Sequence, residues 1–315
     1  IYIIVIIMSS LLNIEASFDL DKNQYNYEKD LVIIAGPTCV GKSSIAMELA
    51  KKIDGVLINA DSVQVYEDLR LLSARPSQED MHQIPHFLYG YVKSQKNYTI
   101  FDWLQRLNKV LLEVKKIKKI AILVGGSGLY LNAVINGLAP IPRLKEEIKR
   151  ESMLKLNEIG IDSFKQINFN IDSKFVTKNN DKHRLLRSYG VFLQTNKNMT
   201  YWYKKPRQGA IKKEIYSFLI NLEREHIYKR CELRFDNMLK EGALDEVKKI
   251  HESNIDRSLP VAKCLGVKWL LSYLDKKISL EDAIKLSKRD TRRYVKRQIT
   301  WFSHNYIPYK TIFLK

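Results

Sequence analysis

The nine residues GPTCVGKSS, at positions 36–44, constrain this chain more than any other segment. Gly36, four residues and then Gly41-Lys42-Ser43 match the pattern G-x-x-x-x-G-K-[ST]. The apolar run at 31–35 is typical of a buried parallel strand, and residues 43–53 have the apolar spacing of a helix. A strand, a glycine-rich turn and a helix N-terminus together direct backbone N–H groups and a positive dipole end towards an anion. The sequence therefore predicts a phosphate-binding loop.

Strand and helix patterns alternate along the rest of the first half. Residues 55–61 (GVLINAD) and 120–128 (IAILVGGSG) have the apolar runs of buried strands, and residues 98–119 between them have helical spacing. A strand pattern returns at 214–223, and long helices are predicted from there to the end. This alternation predicts an α/β fold with a P-loop NTPase-like, doubly wound parallel sheet.

The pattern changes after Pro140 and Pro142, where the spacing becomes mostly helical. We therefore predict a P-loop catalytic core with basic C-terminal helices, an inserted helical subdomain, and an N-terminal extension outside the fold. The expected bounds are 28–140 with 206–315 for the core, 141–205 for the subdomain, and 1–27 for the extension.

The first eight residues, IYIIVIIM, are apolar, but a membrane span needs about 20 such residues. The basic residues that open a signal peptide are also missing, so no membrane association is expected. Because the sequence begins with Ile, Met8 is the expected start. Cys39, Cys231 and Cys264 lie far apart, without metal-ligand spacing, and an odd count argues against a disulfide framework. A reducing, cytoplasmic location is therefore expected.

The net charge of +18 is large for a chain of 315 residues. It favours a polyanionic partner, either a nucleic acid or an anionic membrane surface. A genome that favours lysine codons would explain the same excess, and composition alone leaves both explanations open. The apolar and charged fractions, 45% and 28%, are those of a globular protein.

The candidate catalytic carboxylate is not where an ordinary P-loop ATPase carries one. In those enzymes a second apolar strand ends in an acidic residue that orders Mg²⁺ and its water. Here the strand at 120–124 ends in glycines and Ser127, whereas Asp61 follows the strand in INADSVQVY. Ligands lie outside the carboxyl ends of such strands, so the loop, Asp61 and Ser127 are expected to meet in one cleft. Asp61 could act there as a base or could simply cap a turn.

Two predicted helices near the C-terminus are rich in arginine and lysine. Residues 222–239 contain Arg224, Arg230 and Arg234, and arginine suits bidentate phosphate contacts, although a solvated helix face is the alternative. Residues 287–302 (SKRDTRRYVKRQITWF) interleave a basic run with aromatic residues. That composition suits a nucleic-acid backbone.

Ordered motifs from residue 31 to about residue 302 resemble those of the bacterial tRNA dimethylallyltransferases, also called tRNA isopentenyltransferases. GPTCVGKSS is similar to the family's GPTASGKT, DSVQVY to DSxQVY, and VGGSGLY to VGGTGLY. Residues 74–88 are similar to KPSxxE…VPHHL, 180–192 to NDPxRxxRALEV, and 292–302 to QYAKRQxTWF. The chain departs from the family patterns without loss of a proposed catalytic group at Ser43, Phe87, Ser127, Lys182, Val267 and Trp269.

This family transfers a dimethylallyl group from its pyrophosphate to N6 of the adenosine on the 3′ side of the anticodon, in tRNAs that read codons beginning with U. The resemblance implies dimethylallyl pyrophosphate and the tRNA anticodon stem-loop as partners, and Mg²⁺ as the cofactor. The loop pattern is also that of nucleotide- and ATP-binding proteins, but here it would hold the pyrophosphate of an isoprenoid. Nothing in the sequence demands a dimer, so a monomer is expected.

The resemblance also implies site residues, to which the basic C-terminal helix adds two. The expected catalytic residues are Asp61 as the base, Ser127 and Arg230. The residues expected to bind pyrophosphate are Gly36, Pro37, Thr38, Cys39, Val40, Gly41, Lys42, Ser43 and Arg224, with Ser43 also holding the metal. The residues expected to bind tRNA are Asp61, Ser62, Val63, Gln64, His183, Arg184, Leu185, Leu186, Arg187, Arg293 and Arg297.

Two other functions stay open on the residues alone. A P-loop kinase for a small metabolite would also use the loop, Mg²⁺ and an aspartate base, but would not need a strongly basic C-terminal helix. A non-enzymatic RNA-binding protein with a relic loop would not need Asp61 and Ser127 beside it.

Overall fold

The structure is a computed structural model in which residues 25–175 and 181–314 are described. Most of the predicted N-terminal extension, including Met8, lies outside these residues. Tyr25 corrects its predicted end at residue 27, because this buried ring packs edge-on against Tyr216 in the main core, with 5.1 Å between ring centroids. The folded core therefore begins before residue 28.

Six parallel strands form one sheet in the described chain. They are β1 Asp30–Ala35, β2 Gly55–Asn59, β3 His86–Phe87, β4 Ile120–Gly125, β5 Glu214–Asn221 and β6 Lys310–Phe313. Their order across the sheet is β3-β2-β4-β1-β5-β6. Strands β1, β2 and β4 are buried along their whole length, which explains their continuous apolar runs. The predicted parallel α/β fold is confirmed.

The described helices alternate with these strands and then dominate the C-terminal part. They are α1 Lys42–Ile53, α2 Gln78–Gln83, α3 Ile100–Lys116, α4 Gly128–Asn136, α5 Glu146–Ile171, α6 Lys182–Thr195, α7 Met199–Tyr203, α8 Arg224–Lys240, α9 Ala243–Glu252, α10 Val267–Leu274 and α11 Leu280–Asn305. Helix α3 illustrates why they form, since Thr99 and Asp102 make a capping box at its start. Its buried face runs from Trp103 to Val114 at helical spacing.

The end of the chain differs from the all-helical prediction. Strand β6 pairs in parallel with β5 at the edge of the sheet, where Ile312 lies opposite Ile220. This strand has four residues and only Ile312 is buried, so the run of apolar residues that predicts a strand is missing. Strand β3, with two residues, escapes prediction for the same reason.

Residues Asn136–Ala210 form a second compact unit, which contains α5, α6 and α7. Two small apolar clusters hold it together, one around Leu144, Val191 and Met199 and the other around Leu156, Phe164 and Leu185. The predicted subdomain at 141–205 falls within this unit, and its role in gripping tRNA stays a prediction.

Membrane insertion finds no support among the helices of the two described ranges. None of them is both long enough and apolar enough to cross a bilayer.

Candidate active site

The carboxyl ends of β1, β2 and β4 surround one cavity of about 250 Å³. Its wall includes the loop after β1, Asp61 and Gln64 after β2, Gly125 at the end of β4, and two arginines of α8. This is the crevice that parallel α/β sheets reserve for ligands. The sequence prediction that the loop and Asp61 converge there is borne out by their shared lining of this cavity.

The phosphate loop, which we define as residues 36–41, is shaped by close packing. Gly36 has φ of +151°, and a Cβ there would lie 2.5 Å from the carbonyl oxygen of Ile220, so only glycine fits. The start of α1 follows at Lys42, where the backbone N–H groups of the first turn have no intrahelical partner. Thr38, Cys39 and Gly41 line the cavity, whereas Gly36, Pro37 and Val40 lie buried behind them.

Lys42 and Ser43, the first residues of α1, present an ammonium and a hydroxyl group to the cavity. The Lys42 ammonium donates to the carbonyl oxygen of Pro37 at 2.7 Å. Burial lowers the pKa of Lys42 to about 8, against the opposing effect of the Asp61 carboxylate. Ser43 and Ser44 place two hydroxyl groups on the same wall. A cation and hydroxyls at a helix N-terminus form a site for a phosphate group.

Asp61 is held by a turn that leaves part of its carboxylate available. Its Oδ1 accepts from the backbone N–H of Val63 at 2.9 Å, so the turn-capping role considered from sequence is present. No hydrogen bond in the described chain engages its Oδ2. The turn is fixed in addition by Asn59, whose side chain accepts from the Asp61 N–H at 2.7 Å and donates to the Leu88 carbonyl at 2.9 Å.

Ser127 lies next to this turn rather than on the cavity wall. Its hydroxyl oxygen accepts from the backbone N–H of Ser62 at 3.0 Å, and its side chain is 8% exposed. The structure therefore brings Ser127 to the residue after Asp61. Gln64, on the other side of the turn, donates from its side-chain amide to the carbonyl oxygens of Ser73 and Ala74.

Gln298 of α11 joins the two glycine-rich loops, and the sequence analysis assigned it no role. Its Oε1 accepts from the Thr38 N–H at 3.0 Å, and its Nε2 donates to the Gly126 carbonyl at 2.9 Å. A Cβ on Gly126 would lie 2.5 Å from this amide nitrogen and 2.7 Å from the Gly36 carbonyl oxygen. Gln298 thus fixes the phosphate loop against the loop that carries Ser127.

The structure separates the three arginines of α8 that the sequence pointed to. Arg230 and Arg234 line the cavity, and Arg234 donates to the Thr38 hydroxyl at 2.8 Å. Arg224, the first residue of α8, is exposed and is not among the residues of the cavity wall. A helix turns by 100° per residue, so Arg230 and Arg234 share a face from which Arg224 is displaced.

The basic stripe on α11 divides into two kinds of residue. Lys288 and Arg292 form ion pairs with Asp236 and Glu232 of α8. Arg293, Lys296 and Arg297 are exposed, and Arg293 reaches Asp290 only at 3.8 Å. Arg293, Lys296 and Arg297 line a surface hollow together with Trp301 and His304.

The segment at 183–187 lies in the second compact unit. His183 and Arg184 are exposed, whereas Arg187 donates to the Pro142 carbonyl at 2.8 Å. Leu185 is 1% exposed inside an apolar cluster, so its side chain contributes to packing, and the tRNA contact expected from the motif stays a prediction.

The donor groups at the cavity suit a hard cation that is shared with a ligand. The described residues contain no cluster of three or more His, Cys, Asp or Glu side chains that could bind a metal alone. Ser43 and Asp61 nevertheless supply oxygen atoms on the same wall. Mg²⁺ characteristically takes one or two protein oxygens and completes its shell with phosphate oxygens and water.

Comparison with known proteins gives one consistent result. A model of the IPP transferase family matches residues 64–305. A tRNA dimethylallyltransferase of Hyphomonas neptunium is 37% identical over 278 residues, which are 87% of this chain and 88% of that protein. One of a Bradyrhizobium species is 38% identical over 276 residues, with coverage of 87% and 90%.

Solved structures agree with the sequence relatives. The tRNA isopentenylpyrophosphate transferase of Bacillus halodurans superposes with a TM-score of 0.65 at 30% identity, over 91% of this chain and 90% of that one. A eukaryotic dimethylallyltransferase acting on tRNA gives a TM-score of 0.77 at 25% identity, over 91% of this chain and 74% of that one. With its phosphate loop, its sheet order and these matches, the chain belongs to the IPP transferase family.

Proposed function

We propose that this protein transfers a dimethylallyl group from dimethylallyl pyrophosphate to N6 of the adenosine on the 3′ side of the anticodon, in tRNAs that read codons beginning with U. One observation carries the proposal. A single cavity joins the cations Lys42, Arg230 and Arg234 to one carboxylate, Asp61, whose Oδ2 has no hydrogen-bond partner in the described chain. The relatives are named tRNA dimethylallyltransferase, which supports dimethylallyl transfer to tRNA.

The pyrophosphate would bind at the phosphate loop. Lys42, the first N–H groups of α1 and Arg230 would balance the charge that grows on the leaving group. Arg234 would act there too, and it would also hold the loop through Thr38. Mg²⁺ would be held by Ser43 together with the pyrophosphate oxygens, and it would supply Lewis-acid stabilisation of the departing group.

The acceptor adenosine would leave the anticodon stack and enter next to Asp61. Its N6 attacks the allylic carbon, the bond from that carbon to the pyrophosphate oxygen breaks, and the N6 proton passes to Asp61. Asn59 and the Ser62–Ser127 hydrogen bond would keep the turn in position during this transfer. The exposed residues Arg293 and Arg297 would contact the tRNA backbone outside the cavity.

The residues that line the cavity give less support to the alternative function, a P-loop kinase. A kinase that bound Mg²⁺ and nucleotide would be expected to carry a second acidic residue at the end of a central strand. Here β4 ends at Gly125, and Asp61 is the only carboxylate among the residues that line the cavity in the described chain.

A mixing experiment tests the proposal. The purified protein is incubated with an in-vitro transcribed tRNA and Mg²⁺, and with either radiolabelled dimethylallyl pyrophosphate or γ-labelled ATP. We expect prenyl label on the RNA only when adenosine follows the anticodon, and none on a transcript with guanosine at that position. Transfer of the γ-phosphate, with no prenyl transfer, would replace the proposal with the kinase function.

A further inference from the structure

One cysteine of the phosphate loop lies near a second cysteine on α8, and the proposed transfer reaction gives their thiols no role. Cys39 is half-buried and lines the cavity. Cys231 is 3% exposed on α8, close enough to Cys39 for each thiol to shift the pKa of the other. A half-buried cysteine and a buried cysteine therefore lie close together.

The packing of α8 supports this proximity independently. Arg234 lies three residues after Cys231, and side chains three apart share one face of a helix. Its guanidinium donates to the hydroxyl of Thr38, the neighbour of Cys39, at 2.8 Å. Cys39 also packs against the apolar cluster that contains Cys231. The face of α8 that carries both residues thus lies against the phosphate loop at residues 38 and 39.

The surroundings give the two sulfurs different reactivity. The hydrogen bond from Cys231, helped by the positive charges of Arg234 and Lys42, lowers the pKa of the Cys39 thiol to about 6, although burial opposes this. The same hydrogen bond, together with burial, raises the pKa of Cys231. Burial also raises the pKa of Cys264. Because the thiolate is the reactive form of cysteine, Cys39 is the residue that would react with an oxidant in the cavity.

We propose that Cys39 and Cys231 form an oxidation site that closes to a disulfide when a peroxide enters the cavity. The Cys39 thiolate attacks one peroxide oxygen, the O–O bond breaks, and the products are Cys39 sulfenic acid and hydroxide, which is protonated to water. The Cys231 sulfur then attacks the Cys39 sulfur, the S–O bond breaks, and a second water leaves. Two thiols lose two electrons and two protons, and hydrogen peroxide is reduced to two water molecules.

The disulfide would tie the phosphate loop to α8 and remove its capacity to hold an anion. Cys39 has φ of +67°, so the loop at this residue adopts a conformation that is uncommon for residues other than glycine, and a cross-link there would restrict it further. The family pattern GPTASGKT has alanine at this position, so the site belongs to this chain's own residues. The inference goes beyond the proposed function and does not rest on it.

The test treats the reduced, full-length protein with dilute hydrogen peroxide, alkylates the remaining thiols and maps the cysteines by mass spectrometry. We expect one cross-linked peptide pair, Cys39 with Cys231, while Cys264 stays alkylated, and we expect dithiothreitol to restore both thiols. A Cys264→Ala variant should give the same result. Oxidation at Cys264 with Cys39 unmodified, or no Cys39–Cys231 cross-link in the wild type, overturns the proposal whatever the activity of the enzyme.

Two variants separate the roles of the sulfurs. In Cys39→Ala, Cys231 should stay reduced under the same peroxide treatment. In Cys231→Ala, Cys39 should oxidise more slowly, because it loses the hydrogen bond that lowers its pKa, and it should then pass to sulfinic acid, which dithiothreitol does not reverse. The affinity for inorganic pyrophosphate should fall by at least about tenfold in the oxidised wild type and recover on reduction. Each protein is compared with its own untreated sample. Reversible oxidation of Cys39 in Cys231→Ala would contradict the resolving role of Cys231, and the wild-type map decides the question if that variant fails to fold.

Discussion

The cavity at the phosphate loop and the exposed face of α11 are both rich in cations, but they hold these charges in different ways. In the cavity, Lys42 donates to the Pro37 carbonyl and Arg234 to the Thr38 hydroxyl. On α11, Arg293 and Arg297 extend into solvent. A cation that the protein already holds in place loses little side-chain entropy when it binds an anion. An exposed cation loses more, and salt screens its charge. Chemistry is therefore expected at the first region and salt-dependent affinity at the second.

The comparison extends to single residues of one helix. Lys288 and Arg292 belong to the same basic run as Arg293 and Arg297, yet they pair with carboxylates of α8. The density of basic residues in a sequence does not distinguish a side chain that stabilises helix packing through an ion pair from one that is free to bind a ligand. The contacts of each side chain make that distinction. They determine whether its substitution should affect catalysis, tRNA affinity or stability.

The largest effect is expected from Asp61→Asn in the cavity. The asparagine keeps the shape and the hydrogen bond to Val63 but cannot accept the N6 proton, so prenyl transfer should slow by about 10²–10⁴-fold. A single-turnover assay at saturating donor and tRNA measures this step, and tRNA affinity should change little. Asp162→Asn, at an exposed aspartate of α5, is the matched control. Turnover close to wild type in Asp61→Asn would remove Asp61 as the base.

A smaller effect is expected from the arginines of α8. Arg230→Gln removes a charged donor from the cavity wall, and hydrogen bonds to charged groups contribute about 1.5–3 kcal/mol, so kcat/KM for the donor should fall by about 10–100-fold. Arg224→Gln is the paired comparison, because Arg224 was expected from sequence to bind pyrophosphate but lies exposed. Equal losses in the two variants would show that Arg224 reaches the pyrophosphate after all.

The pH dependence of pyrophosphate binding tests the charge on Lys42. Its pKa of about 8 lies below the usual 10.5, so the free protein loses this charge first, and a bound anion should restore it. Affinity should therefore fall as pH rises through this window, by at most about tenfold per pH unit, with uptake of one proton. Calorimetry in buffers of different ionisation enthalpy measures that proton. Lys42→Met should abolish this part of the pH dependence, and an unchanged profile in the variant would assign it elsewhere.

The smallest effect is expected on the exposed face of α11. Each phosphate contact contributes about −0.9 to the slope of log affinity against log salt, so Arg293→Gln with Arg297→Gln should flatten the slope for tRNA by up to about two units. The chemical step at saturating tRNA should be unaffected. Lys109→Gln with Lys116→Gln removes the same charge from the exposed side of α3 and should leave the slope unchanged.

Arg292→Gln is a control in the same helix, because it removes an ion-paired arginine rather than an exposed one. Since Arg292 pairs with Glu232, its loss should lower the free energy of unfolding by about 0.2–1 kcal/mol without a change in the salt slope. Thermal melts and binding measured on the same samples separate the two outcomes. If the Arg293 and Arg297 double variant instead loses stability and keeps its slope, these residues hold the helix and do not contact RNA.

The sequence predicted the central fold and the phosphate loop because both depend on local patterns. A buried strand, a glycine turn and a helix are continuous in the chain, and the parallel sheet follows from their alternation. The edge strands β3 and β6 were missed, since two to four residues carry too little periodicity.

The supporting residues of the site depended on contacts between distant segments. Gln298 accepts a hydrogen bond from Thr38, which lies 260 positions earlier in the chain, and Gln298 is buried only because α11 packs against the loop. A polar residue at the end of a buried strand could have pointed to Asn59. Arg224 and Arg230 could not be told apart by composition, because the turn of α8 decides which one faces the cavity.

A competition assay tests most directly whether this cavity holds the pyrophosphate of a prenyl donor. With dimethylallyl pyrophosphate near its KM and tRNA saturating, inorganic pyrophosphate and ATP are titrated separately against prenyl transfer. A prenyl-donor site must hold an apolar five-carbon tail next to the pyrophosphate rather than a ribose and an adenine, so we expect pyrophosphate to compete with the donor and ATP to compete poorly. Stronger inhibition by ATP than by pyrophosphate would contradict the account and favour a nucleotide site.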